Sequence, residues 1–131
     1  MNRILLVEDD PAIRRLLVEL LAEEGYDVHT AGDGQAGVHA ARAFRPDLIL
    51  MDLMLPVLDG MEATRQLKAD PATRDIPVIA ISAGPNLRIH ASDLPADGVV
   101  AKPFDLDTLL AAITVQLRRR SAPDGPRSAA D

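Results

Sequence analysis

At 131 residues the chain is long enough for one domain with a real core and too short for two comfortable ones. A net charge of -6 argues against sequence-independent nucleic-acid binding by the body of the domain, and 2% aromatic residues leave no platform on which bases could stack. The lack of cysteine excludes disulfides and thiolate metal sites, and neither a membrane span nor a secretory signal is visible, so a cytoplasmic location is expected.

Arg3-Ile4-Leu5-Leu6-Val7 is a short apolar run that ends in Glu8-Asp9-Asp10, just ahead of Pro11, whose fixed φ suits the first position of a helix. It reads as a buried strand that delivers acids to its carboxyl end. Ile13, Leu16, Leu17, Leu20 and Leu21 then recur at helical spacing, with Arg14, Arg15, Glu19, Glu23 and Glu24 on the other face, and Gly25 closes the helix. Asp27 to Ala31 alternates weakly, as an edge strand does. Asp33-Gly34 turns into a helix carrying Ala36, Val38, Ala40, Ala41 and Phe44, which Pro46 stops.

Leu48-Ile49-Leu50-Met51 suits a strand covered on both faces, and it ends in Asp52; Pro56 and Gly60 mark the irregular stretch that follows. Asp59 caps a third helix through Met61, Ala63 and Leu67, ended by Asp70-Pro71. Pro77 to Ser82 is a fourth strand. From Ala83 to Ala96 the pattern is poor, because Gly84, Pro85 and Pro95 leave room for one or two helical turns near Asn86 to Ala91. Gly98 to Lys102 is a fifth strand, and after Pro103-Phe104 Asp105 caps a helix through Leu106, Leu109, Leu110, Ile113 and Leu117. The expected division is a domain over residues 1–120 and a disordered tail over 121–131, rich in Pro, Gly, Ser and Ala without apolar periodicity.

Strands alternating with helices predict an α/β fold: a doubly wound five-stranded parallel sheet with right-handed crossovers and helices on both faces. Parallel strands bring their carboxyl ends to one rim, where ligands bind in such sheets. Glu8, Asp9, Asp52, Ser82 and Lys102 therefore meet there, although they are spread over most of the chain. Clustered carboxylates repel one another, and a hard oxygen-seeking cation, Mg²⁺ above all, resolves the repulsion. An ammonium and a hydroxyl beside a carboxylate nucleophile complete a site for phosphoryl transfer to Asp52.

On these residues the sequence resembles the receiver domain of two-component response regulators. The acidic pair after the first strand is matched by Glu8-Asp9, the phosphoacceptor by Asp52, the Ser/Thr after the fourth strand by Ser82, and the Lys-Pro pair by Lys102-Pro103. The resemblance implies a flavodoxin-like strand order 2-1-3-4-5 and a metal bound by Glu8, Asp9, Asp52 and the backbone carbonyl of Met54. It further implies a cis Lys102–Pro103 peptide, a phosphohistidine donor on a histidine kinase or phosphotransfer protein, and output by changed contacts with a downstream protein. Apart from its own phosphotransfer and dephosphorylation, such a domain is not an enzyme. Two departures stand out. Val99 occupies the position, three residues before the lysine, where the family often carries Tyr or Phe, and the Ser82-to-Lys102 segment is short, with Pro85 and Pro95 where a fourth helix is expected. That helix is accordingly expected to be short or irregular, and the switch to be an order change between Gly84 and Pro95.

Simpler readings absorb other residues. Asp10 is a helix cap, His29, His39 and His90 lie on separate elements as surface residues, and Arg118 to Arg120 suit the negative end of a helix without any nucleic-acid contact. An alternative function is a receiver-shaped scaffold that binds its partner independently of phosphorylation. An aspartate phosphatase lacks its second acid, because Met54 stands two residues after Asp52.

Overall fold

A computed structural model of the chain describes residues 2–55, 57–83, 96–102 and 105–121. Its elements are β1 (Arg3–Val7), α1 (Pro11–Glu23), β2 (Asp27–Ala31), α2 (Gly34–Phe44), β3 (Leu48–Asp52), α3 (Gly60–Ala69), β4 (Val78–Ala83), β5 (Gly98–Lys102) and α4 (Leu106–Ser121). The strands form one parallel sheet in the order β2-β1-β3-β4-β5. This is the doubly wound α/β architecture that alternation of elements predicts and the order that the resemblance implies.

Successive strand residues point to opposite faces, and that alternation builds two apolar clusters. Ile4, Leu6, Leu48 and Leu50 join Leu17 and Leu21 of α1 and Leu109 and Ile113 of α4. On the other face Leu5, Val7, Ile49 and Met51 join Val38 and Ala41 of α2 and Ala63 and Leu67 of α3. The central strands are covered on both sides, which is why their sequences read as unbroken apolar runs. Each large side chain so buried contributes on the order of 1.5–3 kcal/mol.

Aspartates start the helices as expected. Asp10 Oδ1 accepts the Ala12 N–H at 2.9 Å, Asp33 Oδ1 the Ala36 N–H at 2.8 Å, Asp59 Oδ1 the Glu62 N–H at 2.8 Å and Asp105 Oδ1 the Thr108 N–H at 2.7 Å. Gly25, at φ 93°, takes the left-handed turn after α1.

Three details differ from the sequence-based expectation. β4 begins at Val78, because Pro77 has no N–H to give the ladder and contributes only its carbonyl, which accepts from Ile49 at 2.9 Å. Leu16 is 54% exposed, since the buried stripe of α1 follows Leu17 and Leu21 and places its neighbour to one side. α4 runs on to Ser121, into the expected tail. The turns expected near Asn86 to Ala91, the order change between Gly84 and Pro95, the Lys102–Pro103 peptide and the tail over 122–131 lie outside the described residues.

Candidate functional site

The register of the sheet assembles the rim. Val7 pairs with Met51, so Glu8 and Asp52 follow side by side; Asp52 pairs with Ile81, and Ala83 with Lys102. The ends of four adjacent strands thereby carry Glu8, Asp52, Ser82 and Lys102 within one small area. Carboxylate oxygens of Glu8, Asp9 and Asp52 all lie within 4.8 Å of one another. Asp9 is exposed, whereas Glu8 and Asp52 are 2% and 3% exposed, a degree of burial that acidic side chains reach only with partners.

Those partners follow a common plan. Asp52 Oδ1 accepts the Met54 N–H at 2.9 Å and its Oδ2 accepts from Lys102 Nζ at 3.2 Å. Glu8 Oε2 accepts the Asp10 N–H at 3.2 Å, and its Oε1 lies 3.7 Å from the same Lys102 ammonium. Each buried carboxylate thus has one oxygen held by a backbone N–H two residues on and the other turned toward a shared cation. Gly60 closes the loop after β3 tightly: its N–H donates to the Leu53 carbonyl at 3.2 Å, and a Cβ there would overlap the Asp52 carbonyl oxygen.

One ammonium does not balance three acids. Burial pushes the Glu8 carboxyl up from its ordinary 4.5 to about 7, the Asp10 N–H opposes the rise, and the neighbouring Asp52 adds to it. Burial thereby disfavours the charged form of Glu8, and a second positive charge at the rim would offset that. An all-oxygen donor set, excess negative charge and an open side at Asp9 suit Mg²⁺, which binds few carboxylates and keeps its waters.

The sequence-predicted residues fall as follows. Glu8, Asp9, Asp52 and Lys102 are brought together, and Ser82 lies buried at the end of β4, where its neighbour Ala83 pairs with Lys102. Met54 enters through its N–H, a contact that sequence reasoning missed, while the residue as a whole is 72% exposed. Arg14 was also missed: its Nη1 donates to the Glu8 carbonyl at 2.9 Å and braces the acid pair from the first turns of α1. Its only sequence signal was a cation one turn past the cap of the helix that follows the acids. His29 is not simply solvated, since its ring stacks on Phe44 with centroids 3.5 Å apart, and Arg3 covers the Phe44 ring at 4.3 Å.

Comparison with known proteins agrees with this fold. The regulator RpaA of Synechocystis, described as a DNA-binding dual master transcriptional regulator, is 43% identical over 121 residues, covering 91% of this chain and 50% of its own. The chain spans about half the length of the curated relatives it matches. Among solved structures, the receiver domain of the sensor histidine kinase PA1611 of Pseudomonas aeruginosa, with a magnesium ion coordinated in its active-site cleft, superposes with TM-score 0.83 at 36% identity, covering 88% of this chain and 97% of that one. The response regulator TrrA of Thermotoga maritima, solved with Mg²⁺ and BeF, gives TM-score 0.81 at 33% identity over 88% of this chain and 99% of the other. The family model for the response regulator receiver domain matches residues 4–114, and the chain belongs to that family of two-component signalling domains.

Proposed function

We propose that Asp52 accepts a phosphoryl group from a phosphohistidine on a histidine kinase or phosphotransfer protein and later loses it to water. The observation that carries this reading is the Lys102 ammonium 3.2 Å from Asp52 in a cluster of three acids. An Asp52 carboxylate oxygen forms the new P–O bond as the P–N bond to the donor imidazole breaks, and the imidazole leaves with that bond's electron pair. Glu8, Asp9, Asp52 and the Met54 carbonyl would hold Mg²⁺, which supplies charge neutralisation for the transferring oxygens when bound. Lys102 turns from the carboxylate to a phosphoryl oxygen, and Ser82 donates its hydroxyl to another.

The phosphorylated domain then signals by changed contacts with a protein partner. The expectation of no nucleic-acid contact concerns this acidic domain alone. A longer protein containing it, like the DNA-binding relative RpaA, would carry such contacts in its other half. Among the described residues no helix is long and apolar enough to cross a membrane.

Mass spectrometry after incubation with acetyl phosphate and Mg²⁺ tests the proposal. One added phosphoryl group is expected on the wild type and none on Asp52→Asn, whose amide is no nucleophile. Equal labelling of the two proteins would remove Asp52 from the role. Partner binding that ignores the phosphoryl group would favour the constitutive scaffold instead.

A further inference from the structure

We infer that Asp97, at the opposite end of the sheet from the acids, is a positioning residue for Lys102. β5 is an outer strand bonded to β4 alone among the described strands, and Val100 is its one buried residue. A strand anchored by so little apolar surface holds its register weakly, and a slip of one residue turns every side chain to the other face. For Lys102 that slip would carry the ammonium away from Asp52.

The polar groups of Asp97 oppose the slip. Its N–H donates to the Val78 carbonyl at 2.8 Å, and its Oδ2 accepts the Val78 N–H at 2.8 Å, so one residue grips both backbone groups at the start of β4. Its carbonyl accepts from Gln116 Nε2 of α4 at 3.0 Å, and Oδ2 also meets Lys68 Nζ of α3 at 2.6 Å. The same Lys68 ammonium donates to the Ile76 carbonyl at 2.8 Å, fixing the turn that enters β4. α3 and α4 contribute to the clusters on opposite faces of the sheet, so the strand is held from both sides. With Asp97 seated on Val78, Gly98 falls beside Ile79 and Lys102 beside Ala83, at the rim.

The inference rests on the reading of Lys102 as a contact to the phosphoryl group, and the experiment separates the two. Titration calorimetry measures Mg²⁺ affinity, then beryllofluoride affinity in the presence of Mg²⁺, for Asp97→Ala, Lys102→Ala and the double variant. Loss of a charge-assisted bond in Lys102→Ala lowers beryllofluoride affinity roughly tenfold or more. Asp97→Ala lowers it by about three- to tenfold with Mg²⁺ affinity nearly unchanged, and the double variant binds no more weakly than Lys102→Ala alone. Asp97→Asn, which keeps an acceptor for the Val78 N–H, recovers most of the loss. Should Asp97→Ala fail to fold, Gln116→Leu removes only the α4 bond and gives a smaller loss that again vanishes in the Lys102→Ala background. Wild-type beryllofluoride binding by the Asp97 and Gln116 variants, or a loss that adds in full to that of Lys102→Ala, overturns the inference. Wild-type binding by Lys102→Ala removes the reading of Lys102 itself, and nothing is then left to position.

Discussion

Glu8 shows how one buried residue couples the rim to stability. With its carboxyl pushed up to about 7 by burial, the metal-free native state holds a proton that the unfolded chain releases near 4.5. Between those values the native state binds more protons than the unfolded state, so Glu8's contribution to stability is present in full below about 4.5 and is lost as pH rises through about 7. The urea midpoint in EDTA is expected to fall from pH 5.5 to pH 8, and Glu8→Gln should flatten that fall. A midpoint that rises steadily over this range in both proteins would contradict the assignment. The acids themselves were legible because the apolar runs of β1 and β3 each lead straight into one, and Asp10 was separable as a cap because it stood directly before Pro11. The Met54 N–H and Arg14 contacts were not legible. They depend on how a loop turns and where a long side chain reaches, and neither leaves a periodic trace.

Among the elements, the connection from β3 to α3 is the most exacting. Gly60 lies against the Asp52 and Leu53 backbone, and at the start of α2 a Cβ on Gly34 would overlap the Leu58 carbonyl. Gly60→Ala must push the loop off the strand end, at a cost of about 1–3 kcal/mol for overpacking, and it displaces the backbone that carries Asp52. Chemical denaturation and acetyl phosphate labelling should both report the change, and a variant with wild-type stability would show that the loop yields freely. β1 and β3 were readable from sequence because burial on both faces forces continuous apolar residues. β4 was displaced by one residue because Pro77 looks like a strand end yet cannot donate to the ladder. Strand order came from family resemblance, since alternation of elements does not say which strand pairs with which.

For the molecule as a whole, three chain segments far apart in sequence share one charge balance. A cation that binds only the folded arrangement raises stability by mass action, about 2.7 kcal/mol at a hundred times its dissociation constant. Mg²⁺ is expected to raise the melting midpoint of the wild type and to do so far less in Asp9→Ala, which should unfold cooperatively with a normal midpoint in EDTA. Equal shifts in both would place the ion elsewhere. The proton on Glu8 carries this further. If the ion replaces that proton as the rim's extra positive charge, binding at pH 6 expels hydrogen ions into the solvent, and the surrounding buffer must absorb them. The heat of Mg²⁺ binding at pH 6 should then differ between MES and bis-Tris, which take up protons with unlike heats, and the heats in two such unlike buffers should converge well above pH 7, where Glu8 has no proton left to release.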